Sequence, residues 1–85
     1  MKVNLDIPEY NPNTGVKYHW ETGFDIEVKY ENDVVVLTAN KAGLFSLANH
    51  LLNLAQENIP LGYHLHFDEN NSLEEGSVEL IIQKK

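Results

Sequence analysis

The stretch "VVVLTANKAGLFSLANHLLNLAQENIP", residues 34–60, changes its apolar period part-way along, and that change decides the fold. Residues 34–39 are uncharged, with apolar side chains on both faces of an extended chain. This is the pattern of a strand covered on both sides or central in the sheet, the least exposed strand expected here. Beyond Asn40 the period becomes that of a helix. Leu44, Leu47, Ala48, Leu51, Leu52, Leu54 and Ala55 form an apolar stripe, and Ser46, Asn49, His50, Asn53, Gln56 and Glu57 form the other face. The spacing predicts a helix over residues 41–57. Asn40 is placed to cap its free N–H groups, and Pro60 stops it. Gly43 costs about 0.8–1 kcal/mol against alanine inside a helix, which predicts close approach to a sheet at that position.

Upstream, "FDIEVKY" sets Phe24, Ile26, Val28 and Tyr30 on one face, and "VKYHW" alternates Val16, Tyr18 and Trp20. With turns at "ETG" and "END" these read as hairpin strands. "VNLDIPEY" suggests a further N-terminal strand through Val3, Leu5 and Ile7, limited by Pro8. Downstream, in "GYHLHFDENNSLEEGSVELII", residues 62–82, Tyr63, Leu65 and Phe67 alternate with His64, His66 and Asp68, and a second strand follows Gly76. Pairing Asp68 with Ser77 sets His66 opposite Glu79 and His64 opposite Ile81, with the apolar residues matched on the other face. "SLEE" has the form of a capping box, and Gly76 is suited to a left-handed end of one helical turn. The expected fold is α+β: a mainly antiparallel sheet of four to six strands, one amphipathic helix on one face, and the order β-β-β-α-β-β with a possible extra N-terminal strand. Residues 1–85 make a single domain.

Thirteen acids oppose six bases, all of them lysine, giving a net charge of −7. Without clustered cations, and without the arginine fork that reads guanine edges, nucleic acid is excluded as the expected partner. Residues 42–83 hold no Lys or Arg but six acids: Glu57, Asp68, Glu69, Glu74, Glu75 and Glu79. Such a surface attracts a basic partner and speeds its encounter, although net negative charge also simply keeps a small protein soluble. There is no cysteine, hence no disulfide or thiolate metal site. No apolar run reaches signal-peptide or membrane-span length, so the expectation is a soluble cytoplasmic protein with no membrane partner and no cofactor.

Two surfaces are candidates for function. The acidic connector carries Asp68, Glu69, Glu74 and Glu75; the neutral helix stripe carries Asn49, His50 and Asn53, whose amides suit adaptable contacts. His64, His66 and Asp68 lie on alternate residues and could converge on a metal ion, which makes a small metal- or ligand-binding protein the alternative function. The plainer reading of the same three is the wet side of a half-buried strand, with His66 paired to Glu79. No nucleophile motif is present, so no catalytic residue is assigned. A structural or oligomeric subunit pairing through an exposed strand edge is the remaining alternative.

The phrases "ANKAGLFSLANHLLNLAQENIP" and "HLHFDENNSLEEGSVELII" in combination, with "IPEYNP" and "DIEVKYEN" as weaker support, resemble the immunity protein 32 family of bacterial polymorphic toxin systems. The resemblance implies a small non-enzymatic protein, encoded beside a toxin and neutralising it by tight binding. It carries no assignment of binding residues. An acidic surface suits a basic effector such as a nuclease, and blocking an active site needs no catalytic group.

Overall fold

The computed structural model describes all 85 residues. Alternation along "IEVKYE" forms β1 (Ile26–Glu31), which turns back as β2 (Val34–Ala39). The two are antiparallel, with Ile26 opposite Ala39 and Glu31 opposite Val34. Asn32 and Asp33 make the turn with φ of 53° and 62°. Two successive left-handed residues match the twist of a hairpin, and Asn and Asp tolerate that region best after glycine.

The helix α1 spans Lys41–Leu54 and is capped by Asn40, whose Oδ1 accepts from the Gly43 N–H at 2.8 Å. The same oxygen accepts from the Asp25 N–H at 3.0 Å, and the Asn40 amide donates to the Gly23 carbonyl at 2.9 Å. One side chain thus fastens the helix start to the entry of β1. Gly43 is pressed against that strand: a Cβ there would stand 2.7 Å from the Asp25 carbonyl oxygen and 2.9 Å from Ile26 Cγ1. The helix stops at Leu54, three residues short of the sequence reading. Beyond its end, Lys84 donates from Nζ to the carbonyls of Gln56 and Ile59 in the turn that follows.

β3 (His64–Phe67) and β4 (Leu80–Gln83) form a second antiparallel pair. Leu47 and Leu54 of the helix meet Ile26 and Val28 of β1 and Leu65 and Phe67 of β3 in the core, which Ile59 and Leu73 close. No helix is long and apolar enough to cross a membrane.

Three expectations are corrected. The four strands form two separate two-stranded sheets, not one sheet of four to six strands in the order β-β-β-α-β-β. Residues 3–7 and 16–20 are not strands at all. The two sheets are bridged along the second edge of β1, where Ile26 O accepts from Glu74 N and Val28 O from Val78 N, each at 2.9 Å. Between these, Val28 N donates to the Ser77 hydroxyl at 3.1 Å, so a side chain interrupts the backbone ladder.

The register of β3 with β4 is the second correction. His66 stands opposite Ile81 and His64 opposite Gln83, two residues on from the expected pairing. A shift of two leaves every side chain on its own face, so hydrophobic alternation cannot distinguish the registers. The bonds from Ser77 and Val78 to β1 decide it, because they draw those residues out of the hairpin. The connector accordingly runs from Asp68 to Glu79.

Third, β2 is the most exposed strand instead of the least: Val34, Val35, Val36 and Leu37 all stay in contact with water. The helix meets β2 at its end, where Ala39 packs beside Gly43, and about half of each of Leu44, Leu51 and Leu52 remains exposed. The reason lies on the other face of the helix.

Candidate functional site

The helix buries its polar side. Ser46, Asn49, His50 and Asn53 are each 2% exposed or less, although these residues look like a solvent face in the sequence. They are buried because residues 1–24 lie across them as an irregular arm, turned back on itself at Asn11–Gly15, whose backbone bonds to the side chains of Ser46 and Asn49. Glu21 N donates to Ser46 Oγ at 2.8 Å and His19 N to Asn49 Oδ1 at 3.2 Å; Asn49 Nδ2 donates to Asp6 O at 3.3 Å. Farther along, Tyr10 N donates to Gln56 Oε1 at 2.8 Å, while Gln56 Nε2 donates to Pro8 O at 3.2 Å. Asn53 donates to both the backbone and side-chain oxygens of Asn49, completing the row.

An arm without a strand partner needs donors and acceptors from elsewhere, and a column of neutral amides supplies both kinds at one helical spacing. Asn49, His50 and Asn53 therefore lie beneath the arm and not on an open helix face. The absence of charge on the stripe follows from burial, since an ionised group there would be desolvated without a partner.

The connector between β3 and β4 is tightly tied down. Asp68 O accepts from the N–H groups of Ser72 and Leu73 at 3.0 and 2.9 Å, and Asp68 Oδ1 from Asn70 N at 2.9 Å. Asn71 Oδ1 accepts from Asp68 N at 3.1 Å, and Asn71 Nδ2 donates to His66 O at 3.0 Å. Buried Leu73 plugs the loop into the core, and Glu69 Oε2 accepts from Gly76 N at 3.0 Å. The "SLEE" capping box does not form a helical turn; Asp68 organises the turn instead. Gly76 does take the left-handed conformation, with φ of 87°. Glu69, Glu74 and Glu75 are exposed on this rigid loop, whereas Asp68 is half-buried and its carboxylate shapes the turn. The nearest cation is Lys29, whose Nζ donates to Gly76 O at 3.4 Å.

His64 and His66 do lie on the exposed side of β3, with ring centroids 4.7 Å apart. His66 Nδ1 is 3.5 Å from Glu79 Oε2, a diagonal pair in the corrected register. Both partners are about half exposed, so this contact contributes little to stability. No three side chains of the His, Cys, Asp or Glu type are grouped to hold a metal ion, and Asp68 does not complete a site with the two histidines.

One feature escapes the sequence reading. A cleft of about 250 Å³ opens between the arm and β3, lined by Tyr18, Trp20, His50, His64, His66 and Asn71 together with Leu65 and Phe67. The His50 ring stacks parallel on Tyr18 at 4.5 Å and lies 4.2 Å from Trp20. Its Nδ1 faces Ser46 O at 2.6 Å, and since a carbonyl only accepts, Nδ1 carries the proton. Nε2 is then an acceptor, and it is buried without a partner. Burial lowers the His50 pKa, against the opposing effect of the Ser46 hydrogen bond. Partial burial, helped by the neighbouring Tyr63 phenol, pushes Tyr18 up to about 12. Tyr18 and Trp20 alternate as strand residues do, and nothing local in the sequence distinguishes a strand from an arm held by amides.

The family model for immunity protein 32 matches residues 34–85, which hold β2, α1, β3, the acidic connector and β4. The chain belongs to the immunity protein 32 family. Comparison with curated proteins and with solved structures finds no match. The amide column of the helix lies inside the immunity protein 32 segment, and the arm it holds precedes it.

Proposed function

We propose that this immunity protein 32 chain is a non-enzymatic inhibitor that binds a cognate toxin carrying a basic surface, with Glu69, Glu74 and Glu75 as the first points of contact. Membership of an immunity family supports a role in toxin immunity. The observation that carries the surface is the connector, where three exposed acids sit on a loop held by its own hydrogen bonds and by buried Leu73. A preorganised loop loses little conformational entropy when it binds, and its charge steers a cationic partner into register. Asp68 serves by shaping that loop. The cysteine-free composition suits action in a reducing cytoplasm.

The test is co-expression with the toxin encoded beside this chain. Restored growth and co-purification of the two proteins are expected. Continued toxicity at equal expression, with no complex recovered, would sink the proposal.

A further inference from the structure

The cleft beside the connector is lined by a buried polar atom to which the rest of the chain offers no hydrogen bond. His50 is 2% exposed, yet its Nε2 has no hydrogen-bond partner, an arrangement that costs free energy unless something supplies a donor. Nδ1 is turned to the helix backbone, so Nε2 lies on the edge of the ring that faces away from the helix, toward the arm and β3. The ligand therefore presents an N–H or O–H group.

Size, walls and charge narrow its identity. About 250 Å³ is smaller than the roughly 300–1,000 Å³ of pockets for cofactors and drug-sized molecules, and fits one protruding side chain. Tyr18 lines the cleft with an aromatic ring, whose face attracts a cation held flat against it, while Trp20 is already packed against His50 and Phe24. No Lys lines the cleft, Glu79 stands at its His66 rim, and the chain as a whole carries −7. Guanidinium is planar, weakly hydrated and rich in in-plane donors; an ammonium is compact and strongly hydrated. Asn71 belongs to both the cleft and the connector, so a partner seated on Glu69 reaches the cleft without a second docking event.

We propose that the cleft receives an arginine side chain of the toxin, its guanidinium lying against Tyr18 and donating to His50 Nε2. This rests on the toxin-binding reading of the connector. Tyr18, 39% exposed and stacked on the imidazole, is the wall that tilts to admit it.

Two measurements test it. N-acetyl-arginine amide is titrated into the protein while the imidazole nitrogen resonances of His50 and the fluorescence of Trp20, the single tryptophan, are followed. Arginine amide is expected to move the Nε2 resonance and the fluorescence together, with the lysine and neutral citrulline analogues weaker by about 3-fold or more. An unmoved Nε2, or equal responses to all three probes, overturns the proposal without needing any toxin. In the second measurement, Tyr18→Ser is expected to raise the Kd for the cognate toxin by roughly 3- to 30-fold. An unchanged Kd overturns the arginine seat and leaves toxin binding standing, whereas wild-type protein that fails to bind the toxin removes both.

Discussion

Replacing Asn49 by alanine separates an amide face that holds the arm from one that faces water, because the two arrangements predict opposite signs. On a solvated helix face the change removes no internal bond, and better helix propensity raises stability by up to about 0.7 kcal/mol. In this structure Asn49 is 2% exposed and its side chain makes three hydrogen bonds, with His19 N, Asp6 O and Asn53 Nδ2. At about 1 kcal/mol net for each bond, the loss is about 3 kcal/mol. Subtracting the propensity gain leaves about 2 kcal/mol of destabilisation. For a domain of this size that lowers Tm by on the order of 10 °C. Thermal and urea unfolding by circular dichroism give the size of the effect, and hydrogen exchange at the amides of residues 17–21 shows whether the arm loosens first. A Tm equal to or above that of the wild type would refute the claim that these amides hold the arm.

Gly43→Ala is expected to destabilise despite adding a better helix former, because its Cβ would meet the Asp25 carbonyl at 2.7 Å. The net cost is about 1–2 kcal/mol, read from the urea midpoint. His50 gives a pH dependence. Its folded pKa lies below the unfolded value of about 6.5, so the unfolded chain binds more protons as the solution is acidified. The stability from keeping His50 neutral is present above about pH 6.5 and is lost as pH falls through the folded value. Melting curves at neutral pH and near pH 5 are expected to differ more for wild type than for His50→Gln; equal differences would assign the acid sensitivity to the carboxylates.

The sequence was most informative where local chemistry acts alone. Asn40 as the helix cap, Gly43 as the point of close approach, the Asn32-Asp33 turn and the alternation of β3 all depend on neighbouring residues, and all are present. What was not legible depends on partners distant in the chain. Val16, Tyr18 and Trp20 alternate as a strand would, but the donors that satisfy this segment come from Ser46 and Asn49, more than twenty residues away. The same distant pairing turned a polar helix face inward and left the Val34–Ala39 strand in water. At the site, exposure of the connector acids followed from their charge. The cleft did not, since it exists only where the arm crosses His50 and β3.

The central claim is that the acidic connector captures the toxin. Its most direct measurement is the association rate of the cognate toxin with wild type and with Glu74→Lys/Glu75→Lys, two exposed residues that enter no ion pair within the chain. Recorded at low and high salt, the double variant is expected to associate about 10-fold or more slowly at low salt, with the difference shrinking as salt is added. Equal association rates at low salt would contradict the account.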